Sequence, residues 1–236
     1  PIANRTFPGD AAALKIRAPE FVERSIGQSN PFPDALNTIT VTVVPNIAMG
    51  SKTDNSSGTI ATHVSKITIS GLVGSATSAS TLNITQLSPA NALLQTQVRW
   101  YQHNGSLVVE FQNQTVWRTS DDPIVFSFRL RNPAQCQTSP DVTIAGVSEG
   151  TNCPRVIPQA GMVKDTLSVP FAGCRACGVT GDRCNACQKC DEICDQQDAA
   201  PLKVHSPGFI VKSIQQSTTW PGATNRLNVT FAANID

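Results

Sequence analysis

Six of the eight cysteines fall between Cys174 and Cys194, in the run CRACGVTGDRCNACQKCDEIC. Apart from Val179 and Ile193 this stretch carries almost no apolar side chain, so it cannot build a core and needs covalent or metal staples. Three chemistries fit the spacing. Cys184, Cys187, Cys190 and Cys194 stand as C-x2-C-x2-C-x3-C, the run that can wrap a cubane iron–sulfur cluster. Asp195 stands where a proline usually follows, and the flanks lack an apolar shell. Cys174, Cys177, Cys184 and Cys187 stand as C-x2-C-x6-C-x2-C, which can place four thiolates around zinc. Disulfides are the third reading and the expected one, because an even cysteine count suits a closed set of bridges. Cys136 and Cys153 are then expected to pair across the loop they bracket. Six cysteines allow fifteen connectivities, so no partners follow within the cluster.

Other chemistry finds little support. His63, His103 and His205 lie in separate segments and are expected as surface residues of strands or turns, since general-base work needs a positioned partner. There is no G-x-S-x-G elbow, H-E-x-x-H pair or phosphate-cradling glycine loop. Asp121 and Asp122 precede Pro123 and read as turn residues. Asp191, Glu192, Asp195 and Asp198 could gather round calcium, but they lack a glycine-turned ligand loop. The expectation is a non-enzyme with no metal and no cofactor.

Modification is the better-supported chemistry. Asn-x-Ser/Thr sequons occur at Asn4, Asn55, Asn83, Asn104, Asn113 and Asn228, against about two or three expected from the Ser/Thr frequency. Asn104-Gly-Ser lies in an expected hairpin turn between QVRWYQH and SLVVEFQ, and Asn55-Ser-Ser in the polar stretch GSKTDNSSG, where a sugar can project freely. Sequons and cysteines together predict an extracellular protein carrying N-linked glycans.

The elements that must position these residues are strands. Apolar residues alternate with polar ones at Ile39, Val41 and Val43, at Ile67 and Ile69, at Val98 and Trp100, at Leu107, Val109 and Phe111, and at Phe126, Phe128 and Leu130. Gly, Pro, Asn and Ser clusters separate them. No amphipathic helix with caps is apparent. The pattern predicts an all-β antiparallel sandwich, with a closed barrel as the alternative. A hydrophobic content of 40% suffices for an ordinary core. With 15% charged residues and a formal net charge of +1, nucleic-acid binding is not expected. No apolar run approaches the roughly eighteen residues of a membrane span.

The chain also repeats itself. Asp10 to Ala48 matches Asp198 to Asp236 without a gap at an offset of 188, with eighteen of thirty-nine positions identical. Chance at average composition would give roughly two or three. Residues 1–13 are read as the end of one repeat, 14–201 as a complete repeat, and 202–236 as the start of another. A start inside a repeat, without an initiator Met, suggests a mature or excised piece. The cysteine-rich stretch, residues 172–197, has no counterpart before Asp10 and reads as an insertion between strands at Thr166 to Phe171 and Pro201 to Val211. The apolar residues Val204, Phe209, Ile210, Leu227, Val229 and Phe231 are expected to find no partner within the complete repeat. Arrays of this kind more often make stalks and binding surfaces than active sites.

The segments SIGQSNPFPDALNTITVTVVPNIA, KITISGLVGS and PIVFSFRLRNPAQCQTSPDVTI, the CRACG element and the return DAAPLKVHSPGF together resemble the repeated β modules of mastigoneme shaft glycoproteins of green-algal flagella, or related algal surface repeat glycoproteins. The resemblance implies a non-enzymatic structural protein of immunoglobulin-like, heavily glycosylated modules that assemble into hair-like filaments on the outside of a cilium. The partners it implies are copies of the protein or adjoining repeats of one chain, with an anchor protein in the ciliary membrane. The alternative is a cell-surface adhesin or carbohydrate-binding module, in which exposed Trp117, Trp220 or Tyr101 stack on sugar faces.

Overall fold

The computed structural model describes residues 16–54, 61–149, 154–165, 199–205 and 208–233. In chain order the strands are β1 (Phe21–Gln28), β2 (Leu36–Pro45), β3 (Met49–Asp54), β4 (Ala61–Val64), β5 (Lys66–Ser70), β6 (Thr81–Ser88), β7 (Gln97–Tyr101), β8 (Ser106–Glu110), β9 (Val116–Trp117), β10 (Ile124–Arg131), β11 (Thr143–Ser148), β12 (Arg155–Gly161), β13 (Val163–Lys164), β14 (Phe209–Gln216) and β15 (Leu227–Ala233). One short 3-10 turn, Gln102–Asn104, is the sole helical element among the described residues.

Each alternating run becomes a strand with its apolar side inward. In β2 the side chains of Ile39, Val41 and Val43 are fully buried while the threonines between them are half-exposed. β10 lies against β2 in antiparallel register, Val41 opposite Phe126 and Ile39 opposite Phe128. These cross-strand apolar pairs are what fix the register, since a one-residue slip would turn the whole set to water.

Ten strands follow one another in the order β12-β11-β5-β8-β7-β6-β10-β2-β1-β13. The order bends at β6, whose first residues, Thr81 to Asn83, pair with β7, while Ile84 to Ser88 pair with β10. β6 thus serves two sheets. Their inner faces meet in a single core that includes Trp100, Phe111, Trp117, Phe126 and Phe128. The two ends of the order are joined by the chain itself, because β12 ends at Gly161 and β13, parallel to β1, begins at Val163. Arg24 ties this seam by donating from Nε to the Gly161 carbonyl at 2.7 Å. The architecture is all-β and antiparallel apart from the β1–β13 ladder, consistent with a β-sandwich.

The β7–β8 hairpin expected at Asn104-Gly-Ser forms as read. Gly105 closes it at φ +60°, and a β-carbon there would run into the backbone of Leu72. Only glycine meets both demands.

One segment departs from expectation, and one ring is closed to the carbohydrate-binding alternative. Pro201 to Val211 is not a continuous strand: residues 199–202 form turns, with Leu202 at φ +54°, and β14 starts at Phe209. Trp117 is fully buried, its indole Nε1 donating to the Asp122 carbonyl at 2.9 Å, so it offers no ring to a sugar. Asp121 does sit in the turn, accepting from the Arg118 N–H at 2.7 Å. The cysteine-rich run and the strand expected at Thr166 to Phe171 lie outside the described residues.

Candidate assembly interface

The repeat detected in the sequence appears in the structure as two copies of one hairpin. In the first copy, β1 and β2 pair antiparallel, Ser25 opposite Thr42, Ile26 opposite Val41 and Gln28 opposite Ile39, with a bulge between Phe21 and Glu23. The turn is held by a buried amide network. Asn37 Nδ2 donates to Gln28 Oε1 at 2.7 Å and to Asn132 Oδ1 at 2.8 Å. Its Oδ1 accepts the backbone N–H groups of Ser29 and Asn30. Asn132 Nδ2 in turn donates to the carbonyls of Asn30 and Phe32. Every buried amide is thereby satisfied, as a low-dielectric site demands.

The second copy reproduces this arrangement at the same offset. β14 and β15 pair with Ser213 opposite Thr230, Ile214 opposite Val229 and Gln216 opposite Leu227, and the bulge falls between Phe209 and Val211. Asn225 Nδ2 donates to Gln216 Oε1 at 2.9 Å, and Asn225 Oδ1 accepts the N–H groups of Ser217 and Thr218. The contact made by Asn132 has no counterpart here among the described residues. Register, bulge and turn chemistry are therefore encoded by the hairpin itself, without the sheet that covers the first copy.

That missing sheet decides the exposure. Phe21, Ile26, Ile39, Val41 and Val43 are at most 1% exposed, whereas their counterparts Phe209, Ile214, Leu227, Val229 and Phe231 are 55–68% exposed. β14 and β15 form a two-stranded sheet of their own. Phe209 and Phe231 meet edge to face, with ring centroids 5.6 Å apart. The hairpin thus presents a contiguous apolar face to water, of the kind that makes a candidate interface. Ile210, expected with this set, has no described side chain.

Just before the hairpin, residues 199–205 are bound to the sandwich. Gln28 donates from its backbone N–H to the Ala199 carbonyl and from Nε2 to the Lys203 carbonyl, both at 2.8 Å. Gln137 and Val204 exchange backbone hydrogen bonds, Ser139 Oγ donates to the Pro201 carbonyl, and His205 donates its N–H to the Pro31 carbonyl. Val204 is 2% exposed. This corrects the expectation that Val204 shares the unsatisfied face, because the segment plugs the end of the module before the hairpin begins. It also corrects the surface reading of His205, which is buried in the plug. The first-copy counterpart of Val204 is Ile16, and it is 91% exposed.

The remaining predicted sites fall as follows. Asn83, Asn104, Asn113 and Asn228 are all exposed, on β6, in the β7–β8 turn, after β8 and on β15. Asn4 and Asn55 lie outside the described residues. Cys136 is half-buried; Cys153, Cys174, Cys177, Cys184, Cys187, Cys190 and Cys194 lie outside them, as do Asp191, Glu192, Asp195 and Asp198. His63 and His103 are exposed, Tyr101 is 40% exposed beside His103, and Trp220, at the tip of the second hairpin, is 78% exposed. On the outer face of the sheet Glu110 accepts from Arg99 at 2.6 Å, which holds the guanidinium above its ordinary pKa. No helix among the described residues is long and apolar enough to cross a membrane.

The residues overlooked in the sequence are the amides. Gln28, Ser29 and Asn37 recur unchanged as Gln216, Ser217 and Asn225, and polar identities retained between copies of a half-buried hairpin signal a turn network. Compared with known proteins, the chain matches no family model, and no curated protein aligns with it significantly.

Proposed function

We propose that this chain is a non-enzymatic, extracellular structural glycoprotein whose β modules join end to end into filaments of the mastigoneme-like kind found on ciliary surfaces. The observation that carries the reading is the pair of equivalent hairpins, one sealed under a sheet and the other folded in the same register with its apolar face open. A contact that uses different surfaces on its two sides leaves each unit with one free surface of either kind, and so extends into a filament unless its rotation closes a ring. Exposed sequons along the sandwich agree with an outward-facing, glycosylated wall. In this reading the immunoglobulin-like modules carry disulfides among Cys136, Cys153 and the Cys174-to-Cys194 cluster, with no metal.

Negative-stain imaging of native material tests it: fibres with a constant axial repeat are expected, and dispersed globular particles would overturn it. The adhesin alternative keeps one observation, the exposed Trp220. Its counterpart Phe32 is half-buried in the finished module, which favours a packing role once the hairpin is covered. A monomer that is retained on a glycan column and loses retention with Trp220→Ala would reverse this preference.

A further inference from the structure

The open hairpin has no seat on its own module. β10, the strand that receives β2, already carries β2 on one edge and β6 on the other. Two equivalent hairpins and one occupied seat leave Phe209–Ala233 to be received elsewhere.

We infer that the partner of this hairpin is the body of a second module of the same kind, the counterpart of residues 46–205, seated so that β15 pairs antiparallel with the partner's equivalent of β10. The inference rests on the modular reading above and specifies its contact. The observed β2–β10 ladder sets the register: Val43 opposite Ile124, Val41 opposite Phe126 and Ile39 opposite Phe128. At the offset of 188 this places Phe231, Val229 and Leu227 opposite the counterparts of Ile124, Phe126 and Phe128. Main-chain pairing then supplies strength and the alternate apolar side chains set the register.

Two further observations point to the same occupant. The Asn225 amide already holds Gln216 and the turn N–H groups as Asn37 holds theirs, and the one contact of Asn37 that it lacks is to Asn132, a residue of the module body. The docked module would restore it. Asn228 corresponds to Thr40, which is half-exposed on the outer face of β2. A glycan on Asn228 therefore points away from the seat and leaves docking free.

Two positions adjust. Gln215 stands in place of Gly27, where a β-carbon would come 3.1 Å from Asp165 Cβ, so the partner's counterpart of Asp165 must sit a few tenths of an ångström further out. Arg226 faces the counterpart of Arg129, a like-charge pair at the solvent side that salt screens.

The test extends the whole chain by continuing Ala233 directly into a second copy of residues 46–208. A control extension carries residues 21–45 in place of 209–233. Amide hydrogen exchange of Leu227, Val229 and Phe231 should slow by at least about a hundredfold relative to the 236-residue chain, since global opening then limits it. Val229→Asp in the extended chain should abolish protection of the second copy and leave the first intact. The inference falls if the second copy folds while residues 227–231 exchange as before, if Val229→Asp changes nothing, if only the control folds, or if neither second copy folds. Native material without fibres would remove the filament proposal and leave this pairing standing; fibres with an unprotected hairpin would remove the pairing alone.

Discussion

Val41 and Val229 are the same residue at equivalent places in two hairpins of one register, so truncating each to alanine isolates the contribution of the covering sheet. Val41 has no exposure and lies in the core beside Phe126, whereas Val229 is 62% exposed. Val41→Ala removes two buried methyl-sized groups, about 1.6 kcal/mol at roughly 0.8 kcal/mol each. The cavity left in a packed core raises the loss to about 2–3 kcal/mol. At roughly 2–4 °C per kcal/mol for a chain of this size, the melting midpoint should fall by about 4–12 °C. Val229→Ala forfeits only the buried fraction of the same groups and opens no cavity. A lone two-stranded hairpin is marginal by itself and need not melt with the sandwich. The module's transition should therefore move by less than about 0.5 kcal/mol. Urea titration and differential scanning calorimetry at low micromolar concentration measure both. Equal losses for the two variants would mean that the second hairpin is covered in solution, and would refute the argument from exposure.

Three further outcomes follow from the same structure. Asn37→Ala strands Gln28 Oε1, Asn132 Oδ1 and the Asn30 N–H and should cost about 2–4 kcal/mol in urea titration, whereas Asn225→Ala, at a site open to water, should cost less than about 0.5 kcal/mol. Gly105→Ala should destabilise by about 2 kcal/mol or more in thermal unfolding, because φ +60° and the Leu72 backbone both oppose a β-carbon. Single Gln replacements of Asn83, Asn104, Asn113 and Asn228 should each remove one glycan by peptide mass mapping and leave stability within about 0.5 kcal/mol, since all four are exposed.

The alternation of apolar and polar residues was enough to locate most of the sandwich, because a half-buried strand must alternate and nothing else in this chain competes with that period. Pairing order was not legible. β6 divides its ladder between two sheets, and no local property of TLNITQLS marks where the division falls. Nor could the sequence show that β12 and β13 close the second seam, since that depends on where Gly161 meets Arg24. The plug was misread for a different reason. Val204 and His205 look like the start of a strand, but Leu202 in the left-handed region turns the backbone so that Val204 pairs with Gln137. Trp117 was open to either reading, because a single ring in a two-residue strand carries no period. The repeat itself was visible, and with it five of the apolar residues left uncovered, Phe209, Leu227, Val229 and Phe231 among those expected and Ile214 through its match to Ile26, whereas Val204 was assigned to that face wrongly.

Between the plug and the second hairpin run only residues 206–208. Three residues reach at most about 11 Å when drawn straight, so the second hairpin is tethered close to the end of the sandwich. The bonds nearest that tether are the Gln137–Val204 bridge and the hydrogen bonds of Gln28 and His205. Pulling the hairpin away from the sandwich would therefore load those hydrogen bonds before any contact inside the core.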